Sequence, residues 1–247
     1  MKKYGFNSGV IGSDQRRTEG GMISHQKFAV ERIRGQLNPA NSVKWSTDLL
    51  SIVWDATDPN SFPNNGGTTL TDLSGNGNDY VVYNSPSFVT DEGKPFFRTD
   101  GNDDYFKQST NFPSGQPLGA AAGTVFFVMK TVDVQGLFLG VSAYLGAYRS
   151  GNKFYNSGYG SPTFHMDTEQ KDNIYDHIRD GEWHYVEFKS VVNSSNGSDN
   201  DWTLFNYGSY EIACDIRAFG IYRKNLTTEE STQNYDYFNN AGYLSDG

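Results

Sequence analysis

Asp72-Leu73-Ser74-Gly75-Asn76-Gly77 sets side-chain oxygens at the first, third and fifth positions of a run whose sixth residue is glycine. That is the opening half of a calcium loop, where carboxylate, hydroxyl and amide oxygens converge on a hard cation. The twelfth position, which should hold a bidentate glutamate, is Tyr83. The run therefore departs from an EF-hand. An Asx-rich turn accounts for it: side-chain oxygens take nearby amides, and the glycines supply positive φ. Asp103 and Asp104 could add oxygens to Asp72, Ser74 and Asn76 if the fold carried them alongside. Without that convergence no cofactor is expected, and calcium is the one candidate.

Catalytic patterns are sparse. Glycoside hydrolysis needs two carboxylates across a cleft. Glu182, Glu187 and Glu211 fall in or near strand-like runs but form no set with their neighbours. His25, His165, His177 and His184 are scattered, with no ligand-like pair on one strand or helix turn. No G-x-S-x-G elbow occurs. His184 alternates with Val186 and Phe188, which predicts a buried or half-buried strand residue. A non-catalytic protein is expected. Tyr144, Tyr148, Tyr155 and Tyr159 lie in a Gly- and Asn-rich stretch. Such rings could stack on sugar C–H bonds while amides bond hydroxyls. Packing and protein interfaces use Tyr equally, and on sequence alone that ordinary use takes precedence.

The elements that must hold these residues are short strands. In 247 residues aromatics make up 15% and Gly numbers 27, a mix suited to strands joined by Gly-rich turns. Thr124 to Val132 is apolar on both faces and belongs in mid-sheet. Further strands are expected at 49–54, 80–83, 95–98, 105–106, 137–141, 143–148, 183–188 and 202–205, while 153–176 resists assignment. Residues 55–79 form a long loop that packs through Phe62 and Leu70. About a dozen strands at hairpin spacing predict a two-sheet antiparallel sandwich from residue 44 to 247. Segment 1–43 is polar and broken by glycines; Ser24 can cap a three-turn helix with Phe28, Ala29 and Ile33 as a narrow apolar stripe. It is too small for its own core, and an anchor that orders on a partner through Phe28 and Ile33 is expected.

The net charge of −9 argues against a general nucleic-acid footprint. Cys214 is the single cysteine, read as a small buried residue in a strand, so no intrachain disulfide forms. No apolar run approaches a membrane span, and the N-terminus has no apolar stretch of the signal-peptide kind. Asn193, Asn196 and Asn225 fit the glycosylation spacing and are read as turn residues.

The chain closes on Asp215-Ile216-Arg217-Ala218-Phe219-Gly220-Ile221-Tyr222, where Ile216, Ala218 and Gly220 alternate with Arg217, Phe219 and Ile221. Thr227-Thr228-Glu229-Glu230 has capping-box spacing, Leu226 can act as a staple, and Gly242 can stop the helix. Tyr235 and Phe238 would dock that helix. The pattern predicts the last strand of a sheet, with the helix over its edge or end.

This closing stretch resembles the final segment of laminin-G-like, concanavalin-like jelly rolls. Trp54 to Pro63 with Thr71 to Tyr80 is similar to the opening common in bacteriophage versions, and Asp100 to Tyr105 and Asp180 to Val186 match two further stations in order. The resemblance spans about residues 50 to 244. It implies an all-β jelly-roll sandwich with a short C-terminal helix. It also implies a non-catalytic phage virion protein, made in a host cytoplasm, that docks by its N-terminus beside other virion proteins and as a homo-oligomer. A carbohydrate-binding adhesin for host surface glycans is the alternative, and a glycan hydrolase the third reading. The concanavalin-like hydrolases carry E-x-D-x-E on one strand, and that string is absent here.

Overall fold

Where both faces of a strand are apolar, neighbours must cover both, and the described residues do this with two antiparallel sheets and one helix. The computed structural model describes residues 45–63, 67–90, 93–109, 118, 122–132, 136–140, 144–148, 153–157, 162–172, 176–191, 202–205 and 212–246. The expected anchor, with Phe28 and Ile33, lies outside the described residues, as do Tyr159 and Glu211.

Numbered in chain order, an eight-stranded sheet holds β1 (Leu50–Asp55), β4 (Ser87–Val89), β5 (Phe96–Arg98), β7 (Gly123–Lys130), β11 (Thr163–Met166), β12 (Glu169–Lys171), β13 (His184–Val191) and β15 (Asp215–Tyr222). Its order is β12-β11-β13-β7-β15-β5-β4, with β1 also paired to β15. A seven-stranded sheet holds β2 (Thr69–Leu70), β3 (Tyr80–Tyr83), β6 (Tyr105–Gln108), β8 (Gly136–Gly140), β9 (Tyr144–Tyr148), β10 (Lys153–Ser157) and β14 (Thr203–Leu204). Its order is β10-β9-β8-β14-β6-β3-β2. The all-β sandwich expectation holds. The unassigned stretch 153–176 contains β10, β11 and β12.

The inter-sheet core joins Trp54, Phe97, Phe106, Phe127, Phe188, Trp202, Phe219 and their neighbours. Phe62 and Leu70 of the long loop are buried in it, as the loop's need for apolar contacts demands. A second apolar cluster lies on the other face of the eight-stranded sheet, with Val53, Phe96, Phe126, Val128, Trp183, Tyr185, Tyr222 and Phe238. The helix α1 (Thr228–Asn240) belongs to it.

Two expectations about the closing segment change. β15 is interior: it pairs with β7 on one side and with β5 and β1 in succession on the other. The helix therefore covers a sheet face instead of an edge or end. The simple alternation also breaks, because the register shifts between Ile216 and Ala218. A bulge turns consecutive residues to one side. Ile216, Phe219 and Ile221 enter the inter-sheet core, while Ala218 and Tyr222 pack under the helix.

The capping box forms as its spacing predicts. Glu230 N donates to Thr227 Oγ1 at 3.3 Å, and Thr227 N donates to Glu230 Oε2 at 3.1 Å. At the other end, Gly242 takes φ +74°, its N–H reaches Asn239 O at 3.0 Å, and Tyr243 N reaches Phe238 O at 2.8 Å. That is a Schellman stop. Leu226 is buried in the helix-side cluster, but the fourth helical residue is Ser231, so no apolar staple pair forms.

Candidate binding face

The seven-stranded sheet buries one face and leaves the other without a helix among the described residues. Tyr80, Phe106, Leu139 and Leu204 are buried between the sheets. Strand alternation puts Val81, Tyr83, Tyr105, Lys107 and Thr203 on the opposite face, where they are half-buried to exposed. Tyr83 and Tyr105 are cross-strand partners, and their rings stack with centroids 4.8 Å apart and 1° between planes. Tyr83 is 37% exposed. A stacked pair standing on a sheet leaves its remaining ring faces to whatever lies above.

The register extends this face across the sheet. Thr203 pairs with both Lys107 and Gly140, Gly140 with Tyr144, and Tyr144 with Ser157. One step further along the strands, Tyr83 pairs with Tyr105 and Gly146 with Tyr155; beyond that, Tyr148 pairs with Lys153. Leu145 is opposite the buried Leu139, so the alternate positions Tyr144, Gly146 and Tyr148, with Tyr155, belong to the outer face. Three of the four tyrosines singled out by sequence thus share one face, and Tyr83 and Tyr105 join it. Nothing local in the chain marks those two, because only pairing shows which strands are neighbours.

The candidate metal loop is a turn. Asp72 Oδ1 accepts from Val53 N at 3.0 Å and Ser74 N at 2.9 Å; Oδ2 accepts from Ser74 Oγ at 2.7 Å and Asn78 N at 3.0 Å. Asn76 Nδ2 donates to Leu50 O at 3.0 Å, and Gly75 and Gly77 take φ +84° and +72°. The polar oxygens pin the long loop to β1. Asp103 and Asp104 do not converge with Asp72. They gather with Asp100 in the turn before β6, their ligand atoms within 4.8 Å of one another. Within that turn Asp100 Oδ1 accepts from Asn102 N at 2.9 Å, and this bond holds its carboxyl below the usual range. Burial pushes Asp104 up, against the bond its Oδ2 accepts from Asp100 N at 3.1 Å.

His184 is half-buried, as its alternation predicts, and carries a partner on each ring nitrogen. Nδ1 lies 2.7 Å from Asp167 Oδ2, and Nε2 lies 3.1 Å from both oxygens of Asp180. Burial pulls its pKa down, but the bonds and charges of Asp167 and then Asp180 together outweigh it and raise it. Asp167 Oδ1 also accepts from Tyr185 N at 2.9 Å, so the imidazolium joins the β11–β12 turn to the loop before β13.

The other titratable groups of interest are enclosed. Asp55 Oδ2 accepts from Tyr243 Oη at 2.6 Å and Oδ1 from Thr57 N at 2.7 Å, and burial raises its pKa to about 6. Glu187 Oε1 accepts from Tyr185 Oη at 2.6 Å. Asn234, fully buried on the helix, accepts from Ser46 N at 2.9 Å and donates to the hydroxyls of Tyr185 at 3.2 Å and Tyr222 at 3.1 Å. An asparagine inside a helix reads from sequence as a solvated position, so nothing there announced this network. Cys214 is buried, but just before β15 and not in a strand.

No protein-family model matches the chain, and no curated protein matches it. Solved structures do resemble it. The Trypanosoma rangeli sialidase in complex with the inhibitor DANA is 12% identical, with 74% of this chain and 32% of that one covered at a TM-score of 0.47. The binding domain of Paraclostridial Mosquitocidal Protein 1 is 12% identical, covering 78% and 53% at 0.49. The botulinum neurotoxin serotype D binding domain is 13% identical, covering 77% and 52% at 0.46. The chain spans about a third to a half of the length of these structures. At these identities the likeness concerns fold alone.

Proposed function

We propose that this chain is a non-catalytic virion protein of a tailed phage that presents the outer face of its seven-stranded sheet to a surface glycan. The observation that carries the binding role is the shared face of Tyr83, Tyr105, Tyr144, Tyr148 and Tyr155. Tyrosines on the same sheet face as Thr203 and Ser157 supply the two groups that sugar recognition uses, ring faces for stacking and hydroxyls for hydrogen bonding. The virion role is supported by the ordered sequence stations between residues 50 and 244. A non-catalytic role is supported by the state of the enclosed carboxylates: Asp55 and Glu187 are 2% and 1% exposed and are held by tyrosine hydroxyls.

Retention of the purified full chain on immobilised bacterial polysaccharides tests the binding role, with Tyr83→Ala and Tyr105→Ala as comparators. Retention by at least one polysaccharide and its loss in both variants is the expected result. Retention that survives both substitutions would sink this face. Virion membership is tested by particle incorporation: a chain lacking 1–43 should stay folded and fail to join the particle, and its unfolding would place that segment in the sandwich.

A further inference from the structure

The protein is acidic, with 29 Asp and Glu against 20 Lys and Arg. Acids are not spread evenly over its two sheets. The strands of the eight-stranded sheet include Asp55, Glu169, Glu187 and Asp215. The strands of the seven-stranded sheet, β2, β3, β6, β8, β9, β10 and β14, include no Asp or Glu at all. Their only charged residues are Lys107 and Lys153, and both belong to the outer face. Lys107 is in the cross-strand row that runs through Thr203 and Gly140 to Tyr144, and Lys153 pairs with Tyr148.

We infer that the ligand of this face is an anionic glycan, bound as an extended chain that runs across the strands; this rests on the binding role proposed above. A neutral ligand gives no reason for an acidic protein to clear carboxylates from one sheet and keep two lysines there. An anionic ligand does, because each carboxylate under it would repel it at close range and each lysine would attract it. Acids among the described residues border these rows without entering the strands: Asp79 precedes β3, where its Oδ1 accepts from Asp72 N at 2.8 Å, and Asp100 to Asp104 lie in the turn beyond Tyr105. Length follows from the register. Tyr83, Tyr105 and Tyr155 occupy one step of the pleat, from β3 across to β10, which is five strand spacings or about 24 Å. A single sugar ring is comparable with one such spacing, so only a chain of several rings touches both aromatic groups. The two lysines then meet acidic groups at separate points along it.

The test uses the full chain on an array of uronate-containing, sialylated and neutral oligosaccharides of graded length. Each is read at low and high salt, beside Lys107→Gln and Lys107→Arg, both checked for parental melting. The expected result is binding confined to acidic chains, strengthening with length up to several rings and weakening roughly tenfold at high salt. It should weaken by a similar factor in Lys107→Gln and hold in Lys107→Arg. Equal binding of acidic and neutral chains would overturn the charge inference and leave the glycan reading standing. A single acidic sugar bound as tightly as the longer chains would overturn the extended arrangement. Binding to no chain would overturn the glycan reading itself.

Discussion

Phe238→Ala should be the most damaging single truncation of the closing helix. The ring is fully buried and meets five other aromatic rings: Tyr237 at 5.1 Å, Tyr243 at 5.2 Å, Phe126 and Tyr185 at 5.7 Å, and Trp45 at 5.9 Å between centroids. Those neighbours come from the segment before β1, from β7, from β13 and from the helix with its C-terminal turn, so no one movement closes the hole. Truncating a buried Phe costs about 3–5 kcal/mol through lost transfer energy and the cavity left behind. A 13-residue helix is marginal alone and depends on this docking. Thr227→Ala, which removes the acceptor for Glu230 N, should cost about 1 kcal/mol. Urea unfolding of the full chain, followed by tryptophan fluorescence, compares them. The Phe238 variant should lose about three times as much stability at an unchanged slope. Equal midpoints for the two variants would refute the reasoning, because the helix would then be held by its cap and hydrogen bonds and not by the ring.

Asp55 has a folded pKa of about 6 against an ordinary 3.8, so the folded state holds its proton more tightly. Its contribution favours folding below about pH 3.8 and is lost as pH rises to about 6; Asp55→Asn should flatten stability-versus-pH curves across that window. His184 is raised above 6.5, so its clamp stabilises below that pH and fades as pH climbs through the higher folded value. His184→Gln should remove that decline, which melts at a series of pH values would reveal. Saturating calcium should leave the melting temperature unchanged, since Asp72 already accepts four hydrogen bonds. Calcium at a hundred times its dissociation constant would add about 2.7 kcal/mol if a tight site existed. A large upward shift would therefore disprove the turn reading.

The parts of the fold that were legible in sequence were those whose signal is local. The capping box and Gly242 depend on a few successive residues, and both formed as spaced. β7 announced its interior position through apolar residues on both faces, and its neighbours are β13 and β15. The Asp72 turn was readable because Asx side chains bond amides two to six residues away. Non-local facts were not readable. The bulge at Arg217 depends on how β15 meets β7, and it reversed the facing of Ala218. Asp103 and Asp104 joined Asp100 instead of Asp72 because the turn before β6 closes on itself. The face shared by Tyr83, Tyr105 and Tyr155 joins strands more than seventy residues apart in sequence.

The place of β15 bears on how the molecule is made. Leu50 to Asp55 of β1 pairs with Tyr222 to Ala218, and one flank of β7 pairs with β15 along nearly its whole length. A ribosome therefore releases β1 and β7 long before their shared partner exists. Until Asp215 to Tyr222 emerges, two apolar strands present open hydrogen-bonding edges, the condition under which nascent chains aggregate. Final assembly must wait for the last strand, and contacts this distant in sequence make that closing step slow. Any chain stopped before Asp215 would keep both edges open permanently.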